Sequence, residues 1–298
     1  MDDLSLILQR VPQFAIAKSL EVEELSGGIT NRNFKVTADG ECFVLRLGGN
    51  ETEFLGINRR NEYECSLLAS QVGVAPEPTA FLEPEGYIVA RFISGKGISA
   101  EEIRTDENIH RVVESMKAYH GLSFFPGSFS PFRVAEEYAE TARGFKVQLP
   151  ENIDWILKRS SEIEKAMYRS LLQARPCHND LLNANFIDDG ARIRILDWEY
   201  AGMGDFFFDL GNFAAQHEFN EQQDEMLLQA YFGSPNDSQR AHQKLMKIMS
   251  DLREAMWSLV QIGVSKLDFD YAGYGRKYFE RFEESTSGVL YQEWLEQV

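Results

Sequence analysis

The stretch PCHNDLLNANF, residues 176–186, sets His178, Asp180 and Asn185 in the pattern H-x-D-x-x-x-x-N. Asp197 follows at the end of the apolar run RIRIL. A β-hairpin turning at Asp188-Asp189-Gly190 would bring Asn185 and Asp197 side by side. Together they would offer one amide oxygen and one carboxylate, hard ligands suited to Mg²⁺. That ion takes few protein ligands and keeps positions for phosphate oxygens and water. Asp180 would stay off the metal, placed to orient a hydroxyl beside a bound phosphate and to accept its proton. Taken singly, these residues read as turns, caps or a core histidine. The spacing and the Ile-Leu-Asp strand end make the joint pattern a chemical one.

Two further groups fit that chemistry. In LSGGITNRNFKV, residues 25–36, Gly27 and Gly28 lie between strands and precede Thr30 and Asn31. Such a turn can face backbone N–H groups toward a phosphate. Arg46 lies in the apolar strand FVLRLGG, where a charge is costly unless paired. Glu62 and Glu64, in the helix that follows, are the candidate partners. A zinc site is not expected, because His110, His120, His217 and His242 show no ligand spacing.

The elements that must position these residues change character along the chain. Residues 21–49 read as strands with a hairpin turn at ADGE, and INRRNEYECSLLASQVG has helical spacing and ends at Gly73. Strands return in PEPTAFLEPEGYIVARFI, with a turn at Glu85-Gly86. From about residue 100 the texture is helical. Ser99 to Glu102 has the form of a capping box, and the helix after it sets Val112, Val113 and Met116 on one side. Helical patterns follow at 133–146, 151–174, 221–232, 237–265 and 270–284, with one strand-like block, ANFIDDGARIRILDWEY, between them. The expectation is an α+β fold of two lobes. Residues 1–95 would form a small antiparallel sheet with one helix, and residues 96–298 a larger, mainly helical lobe. A cleft between them is the natural ligand site.

Composition narrows the partners. The 298 residues carry a formal net charge of −17, which disfavours nucleic acid and tolerates a cationic small substrate. No run of apolar residues is long enough to span a membrane, and MDDLSLILQR lacks the basic start of a signal peptide. Cys42, Cys65 and Cys177 are scattered, as expected of reduced thiols in a cytoplasmic protein. No internal repeat or low-complexity tract is present.

Taken together, LSGGITNRNFKV, VLRLGG, INRRNEYE, RFISG, CHNDLLNANFI, ILDWEYAGMGDFFFDLGNF and MWSLVQIGVSKLDFDYAGYGRKYFERF resemble the choline/ethanolamine kinase family. That family lies within the protein-kinase-like superfamily that includes aminoglycoside phosphotransferases. The resemblance spans nearly the whole chain and implies a bilobal kinase fold with ATP and Mg²⁺ as cofactors. It implies that Asp180 is the catalytic base, that Asn185 and Asp197 hold the metal, and that His178 braces the catalytic loop. Arg46 matches the strand cation of the nucleotide site and Glu62 its helix partner. Arg91, Phe92 and Ile93 match the hinge whose backbone holds adenine.

On the acceptor side the resemblance implies Glu199, Tyr200, Trp257, Phe269 and Tyr274. Aromatic faces and carboxylates suit a quaternary ammonium that has no N–H to donate. Read from spacing alone, Trp257 with Gln261 and Tyr271 with Tyr274 could equally be packing faces. Two positions depart from the family. A second tryptophan is common three residues before Trp257, where this chain has Glu254, which would suit a primary ammonium. Eukaryotic members often carry Glu where this chain has Gln216. Without the eukaryotic N-terminal extension, the chain is similar to a compact bacterial-type member. The expected activity is phosphorylation of a small amino alcohol, with choline favoured over ethanolamine. The alternatives are a kinase of thiamine, a sugar or an aminoglycoside, and an inactive nucleotide-binding module.

Overall fold

A computed structural model describes residues 4–25, 31–49, 52–169 and 173–298. Two short helices, α1 (Leu4–Gln9) and α2 (Pro12–Ala15), precede a five-stranded antiparallel sheet. Its strands are β1 (Leu20–Leu25), β2 (Arg32–Ala38), β3 (Glu41–Leu47), β4 (Pro78–Leu82) and β5 (Tyr87–Arg91), in the order β1-β2-β3-β5-β4. Asp39 and Gly40 both take positive φ, 49° and 88°, which matches the right-handed twist of the β2–β3 hairpin at ADGE. Alternation decides what each face does. Phe34, Val36, Phe43 and Leu45 pack with Ile7, Val11 and Phe14 in a core of their own, which is why α1 and α2 form at all. Arg46 therefore points to the opposite face.

That opposite face meets α3 (Arg59–Gln71), where the sequence predicts a helix. Asn58 caps it, accepting from the Arg60 and Asn61 amides. Glu62 stands in its first turn and is buried, whereas Glu64 is exposed.

The second lobe contains β6 (Lys96–Gly97), α4 (Asp106–His120), α5 (Pro131–Gly144), α6 (Ile153–Met167), β7 (Arg175–Cys177), β8 (Phe186–Asp188), β9 (Ile193–Ile195), β10 (Gly202–Gly204), α7 (Phe206–Gln216), α8 (Glu221–Phe232), α9 (Asp237–Val264), α10 (Tyr271–Ser287) and α11 (Val289–Gln297). The fold is thus α+β, with a small antiparallel-sheet lobe and a larger helical one. β6, β8 and β9 form one small sheet, and β7 pairs antiparallel with β10. The long α9 packs against α5, α7, α10 and α11 and is the spine of the lobe.

Several expected boundaries move. The pattern read as a helix over 151–174 stops at Met167, and Arg175 already belongs to β7. The Ser99–Glu102 box is made, but it opens a short 3-10 turn, Glu102–Arg104; α4 starts at Asp106 under a Thr105 cap. Helix α5 begins at Pro131, capped by Ser130, because proline suits a first turn. Helix α7 was not expected. Its sequence FFFDLGNFAAQ is mostly apolar, and Phe206 through Ala215 are all buried, so its polar residues Asp209 and Asn212 do not mark a solvent face. It crosses α9 closely at Gly211, where a Cβ would come within 2.5 Å of the Met246 and Lys247 backbone.

Candidate active site

The loop after β7 is held in place from below by α7. Asp209 accepts from the His178 amide (2.9 Å) and the Asn179 amide (2.7 Å), and Asn212 Oδ1 accepts from the Leu181 amide (2.6 Å). These bonds hold Asn179 at a φ of 68°, a conformation that a non-glycine residue keeps only when its surroundings impose it. Asp209 is fully buried and also receives the Tyr119 hydroxyl (2.7 Å) and lies 2.9 Å from His120 Nε2. Burial alone would raise its pKa, but the His120 bond and charge, with the other donors, hold it below the usual carboxylate range. Though scattered in sequence, His120, Cys177 and Asp209 bring ligand atoms within 4.8 Å of one another. The spacing argument did not foresee this cluster. Its Asp209 and His120 atoms are already engaged in loop anchoring, and burial pushes the Cys177 thiol up and keeps it protonated.

Both nitrogens of His178 are engaged. Nε2 lies 2.8 Å from the Leu196 carbonyl, and Nδ1 accepts from the Asp180 amide at 3.2 Å. Only the neutral tautomer with its proton on Nε2 satisfies both partners. Burial also pushes the His178 pKa down. The ring ties the Asp180 loop to the strand end before Asp197.

Asp180 is 6% exposed, and its Oδ1 accepts from Arg253 Nη1 at 3.0 Å. Burial raises its pKa to about 7; Arg253 opposes the rise and Glu254 adds to it. Asn185 donates its Nδ2 to the Asp180 carbonyl at 2.9 Å, which leaves Oδ1 as the end able to meet a cation. The hairpin turns at Asp188–Gly190 as expected, and Leu196 donates to the Asn185 carbonyl at 2.9 Å, so Asp197 follows directly. Asp197 holds a φ of 64°. Asn183 donates to the Ile98 carbonyl at 2.8 Å, tying the loop to the segment just after β6.

Asp197 faces a network of arginines and carboxylates. Arg46 reaches Asp197 (2.6 Å), Glu62 (2.8 Å) and Glu199 (3.0 Å). Arg59 reaches Glu62 (2.6 Å), Glu199 (3.0 Å) and Asn31 Oδ1 (3.2 Å). Burial by itself would lower the Arg46 pKa, yet Asp197, Glu62 and Glu199 drive it well up. Burial and the neighbouring Asp197 raise Glu199 to about 7. Three carboxylates against two guanidiniums leave the cluster short of positive charge, a setting that favours a further cation. Glu199 was expected on the acceptor side; its partners are the two arginines and Asn31 instead, because it sits two residues after Asp197 on the same turn. Gly27, Gly28 and Thr30 lie outside the described residues.

At the hinge, the Arg91 amide donates to Glu77 and the Phe92 amide to Cys42, both within sheet contacts. The Ile93 amide bonds no described residue. The Arg91 side chain is half exposed and pairs with Glu77 and Glu41, away from Asp180 and Asp197. A cavity of about 590 Å³ beside Arg91–Ser94 opens toward Leu67, Ser70 and Gln71 of α3. None of Asp180, Asn185 and Asp197 lines it, so it lies behind the hinge rather than in the reactive cleft.

On the other side of Asp180, Trp257 sits 5.8 Å from both Tyr271 and Tyr274, and Phe269 lies 4.8 Å from Tyr271 and 6.0 Å from Tyr274, ring centre to ring centre. Glu254 accepts from the Tyr274 hydroxyl at 2.6 Å and from Arg253, so a continuous chain of contacts joins this cluster to Asp180. The Arg253 guanidinium lies over the Tyr200 ring at 4.3 Å. The structure thus gathers Trp257, Phe269 and Tyr274, and adds Tyr271.

Arg59, Asp209, Asn212 and Arg253 were missed from sequence. A signal existed for the last. In DLREAMW the charges at Asp251, Arg253 and Glu254 point in different directions around one helix, so a buried helix must enclose some of them.

Comparison with known proteins agrees with this geometry. The family model described as choline/ethanolamine kinase matches residues 22–231. The protein LicA of Haemophilus influenzae is 27% identical over 243 residues, covering 78% of this chain and 70% of LicA. A probable ethanolamine kinase A of Dictyostelium discoideum is 25% identical over 94% of this chain and 90% of its own length. The crystal structure of a choline/ethanolamine kinase family protein from Mesorhizobium loti superposes with a TM-score of 0.85 at 30% identity, covering 99% of this chain and 98% of that one. The family-model match over residues 22–231 and these relatives place the chain in the choline/ethanolamine kinase family, phosphotransferases with an alcohol group as acceptor.

Proposed function

We propose that the protein transfers the γ-phosphoryl group of ATP, with Mg²⁺, to the hydroxyl of a small amino alcohol of the size of choline or ethanolamine. The observation that carries this reading is the position of Asp180. Its carboxylate lies between the Asn185–Asp197 hairpin on one side and the Glu254–Tyr274–Trp257 recess on the other.

The donor set fits Mg²⁺: a carboxylate on Asp197 and the free amide oxygen of Asn185 would hold it. When bound, the ion neutralises phosphate charge and aligns the phosphoryl oxygens. Arg46 is positioned by Glu62 to meet phosphates from the sheet side, and the unpaired Ile93 amide is the hinge donor available to adenine. The acceptor hydroxyl hydrogen-bonds to Asp180 and attacks the γ-phosphorus in line. Its proton passes to the Asp180 carboxylate as the new O–P bond forms, and the bond to the bridging oxygen breaks with its electron pair leaving on ADP. Arg253 keeps the base oriented, and His178 keeps the loop in register. Positioning and fixed charge supply most of the acceleration in such a site.

The test is an acceptor panel of amino alcohols, sugars and aminoglycosides with Mg-ATP, read by ADP release and by phosphorus NMR of the product. An O-phosphorylated amino alcohol is the expected product. ADP release with a sugar and none with any amino alcohol would overturn the reading.

A further inference from the structure

Arg253 is 2% exposed, yet much of its hydrogen-bonding capacity has no counterpart in the fold. Nη1 serves both Asp180 and Glu254, and one face of the guanidinium covers Tyr200. Nε and Nη2 are buried and bond no described residue. Those two nitrogens carry three of the five N–H donors of the side chain. Buried donors on a charged group are costly to leave unpaired, and in a native fold they call for a partner from outside the chain.

The surroundings identify that partner. The groups that Arg253 bonds or covers lie on the acceptor side of the proposed site: Asp180, Glu254 with Tyr274 behind it, and Tyr200. The cations tied to Asp197 are different residues, Arg46 and Arg59, the former directly and the latter through Glu199. An oxygen of the acceptor itself is thus the atom placed to reach Arg253. Glu254 adds the complementary half. Its two oxygens take Arg253 and the Tyr274 hydroxyl, and a carboxylate with about four lone-pair sites keeps room for an N–H donor. Asp180, Glu254 and Arg253 together sum to one negative charge, which a single ammonium balances.

We propose that Arg253 and Glu254 determine acceptor specificity, and that the acceptor is a primary amino alcohol bearing a second oxygen function beside its reacting hydroxyl. An amino-diol and a hydroxy-amino acid both have this chemistry. Choline has neither an N–H for Glu254 nor a second oxygen for Arg253, and ethanolamine lacks the oxygen. This inference rests on the amino alcohol kinase reading and narrows it.

The experiment uses the unmodified protein with Mg-ATP and four acceptors: choline, ethanolamine, 2-amino-1,3-propanediol and serine. ADP release and the mass of the product are followed. The expected result is a kcat/KM for the amino-diol or for serine at least about tenfold above ethanolamine and choline; which of the two leads tells hydroxyl from carboxylate. Arg253→Gln should then remove that preference, lowering kcat/KM for the better acceptor at least about tenfold more than for ethanolamine, with the KM for ATP little changed. Should Arg253→Gln fold poorly, the panel on the unmodified protein decides alone. Choline or ethanolamine as the preferred acceptor would overturn the inference and leave the kinase reading intact. An equal loss for every acceptor in a folded Arg253→Gln would also overturn it. Turnover on sugars with none of the four amines would overturn the amino alcohol kinase reading as well.

Discussion

The Arg46 guanidinium lies 2.6 Å from the Asp197 carboxylate and 2.8 Å from that of Glu62, so one side chain from the sheet joins α3 to the turn beyond β9. The pair spans 151 residues of sequence and crosses the cleft between the lobes. Arg46 is largely buried and Asp197 partly so, and breaking the pair leaves carboxylate charge less compensated. Arg46→Met should therefore lower the melting temperature and raise the KM for ATP at least about tenfold. Arg46→Lys should recover charge without the forked geometry and restore only part of either effect. Steady-state kinetics and a thermal melt check both, and an unchanged KM for ATP would remove Arg46 from the nucleotide site.

As the proposed base, Asp180 would act only when ionised, and burial raises its pKa to about 7. Below that pH the base carries a proton and cannot accept another. The kcat/KM for the acceptor should rise about tenfold per pH unit on the acid side and level off above about pH 7. Asp180→Asn should lose about 10²- to 10⁴-fold in kcat while binding Mg-ATP as before. A pH–rate profile flat from pH 5 to 8 would contradict the assignment.

Trp257→Ala should raise the KM for the acceptor about tenfold while leaving that for ATP nearly unchanged, in line with the loss of one aromatic face to an ammonium. Trp257→Phe should keep most of the affinity. Equal changes in both Michaelis constants would make Trp257 a packing residue.

Asp209 is fully buried and holds the backbone of the loop that carries Asp180. Asp209→Ala would leave the His178 and Asn179 amides, the Tyr119 hydroxyl and His120 without their shared acceptor. The expected outcome is a fall in melting temperature of several degrees and a kcat loss larger than any change in KM. Calorimetry and kinetics on the same preparation check this.

The arrangement of Asp180, Asn185 and Asp197 was legible because it depends on short spacings, one loop and one hairpin. Glu62, the buried one that pairs with Arg46, was legible only as one of two candidates with Glu64, the resemblance favouring it. Arg253 was not, because it meets Asp180 across 73 residues, and a charged triplet on a helix ordinarily reads as a solvated face. Asp209 was hidden in a helix buried along nearly its whole length, where a polar residue does not mark a solvent face. Glu199 was placed on the acceptor side by the family resemblance, and the turn after Asp197 directs its carboxylate to Arg46 and Arg59.

The central claim is that Asp180 takes the proton of an amino alcohol during transfer from ATP. The most direct measurement is phosphorus NMR of the products formed by the unmodified protein and by Asp180→Asn, each with Mg-ATP and the amino alcohol panel. The account predicts a phosphomonoester of an amino alcohol from the unmodified protein and essentially none from the variant, with equal Mg-ATP affinity by calorimetry. The same ester formed at comparable rates by both proteins would contradict it.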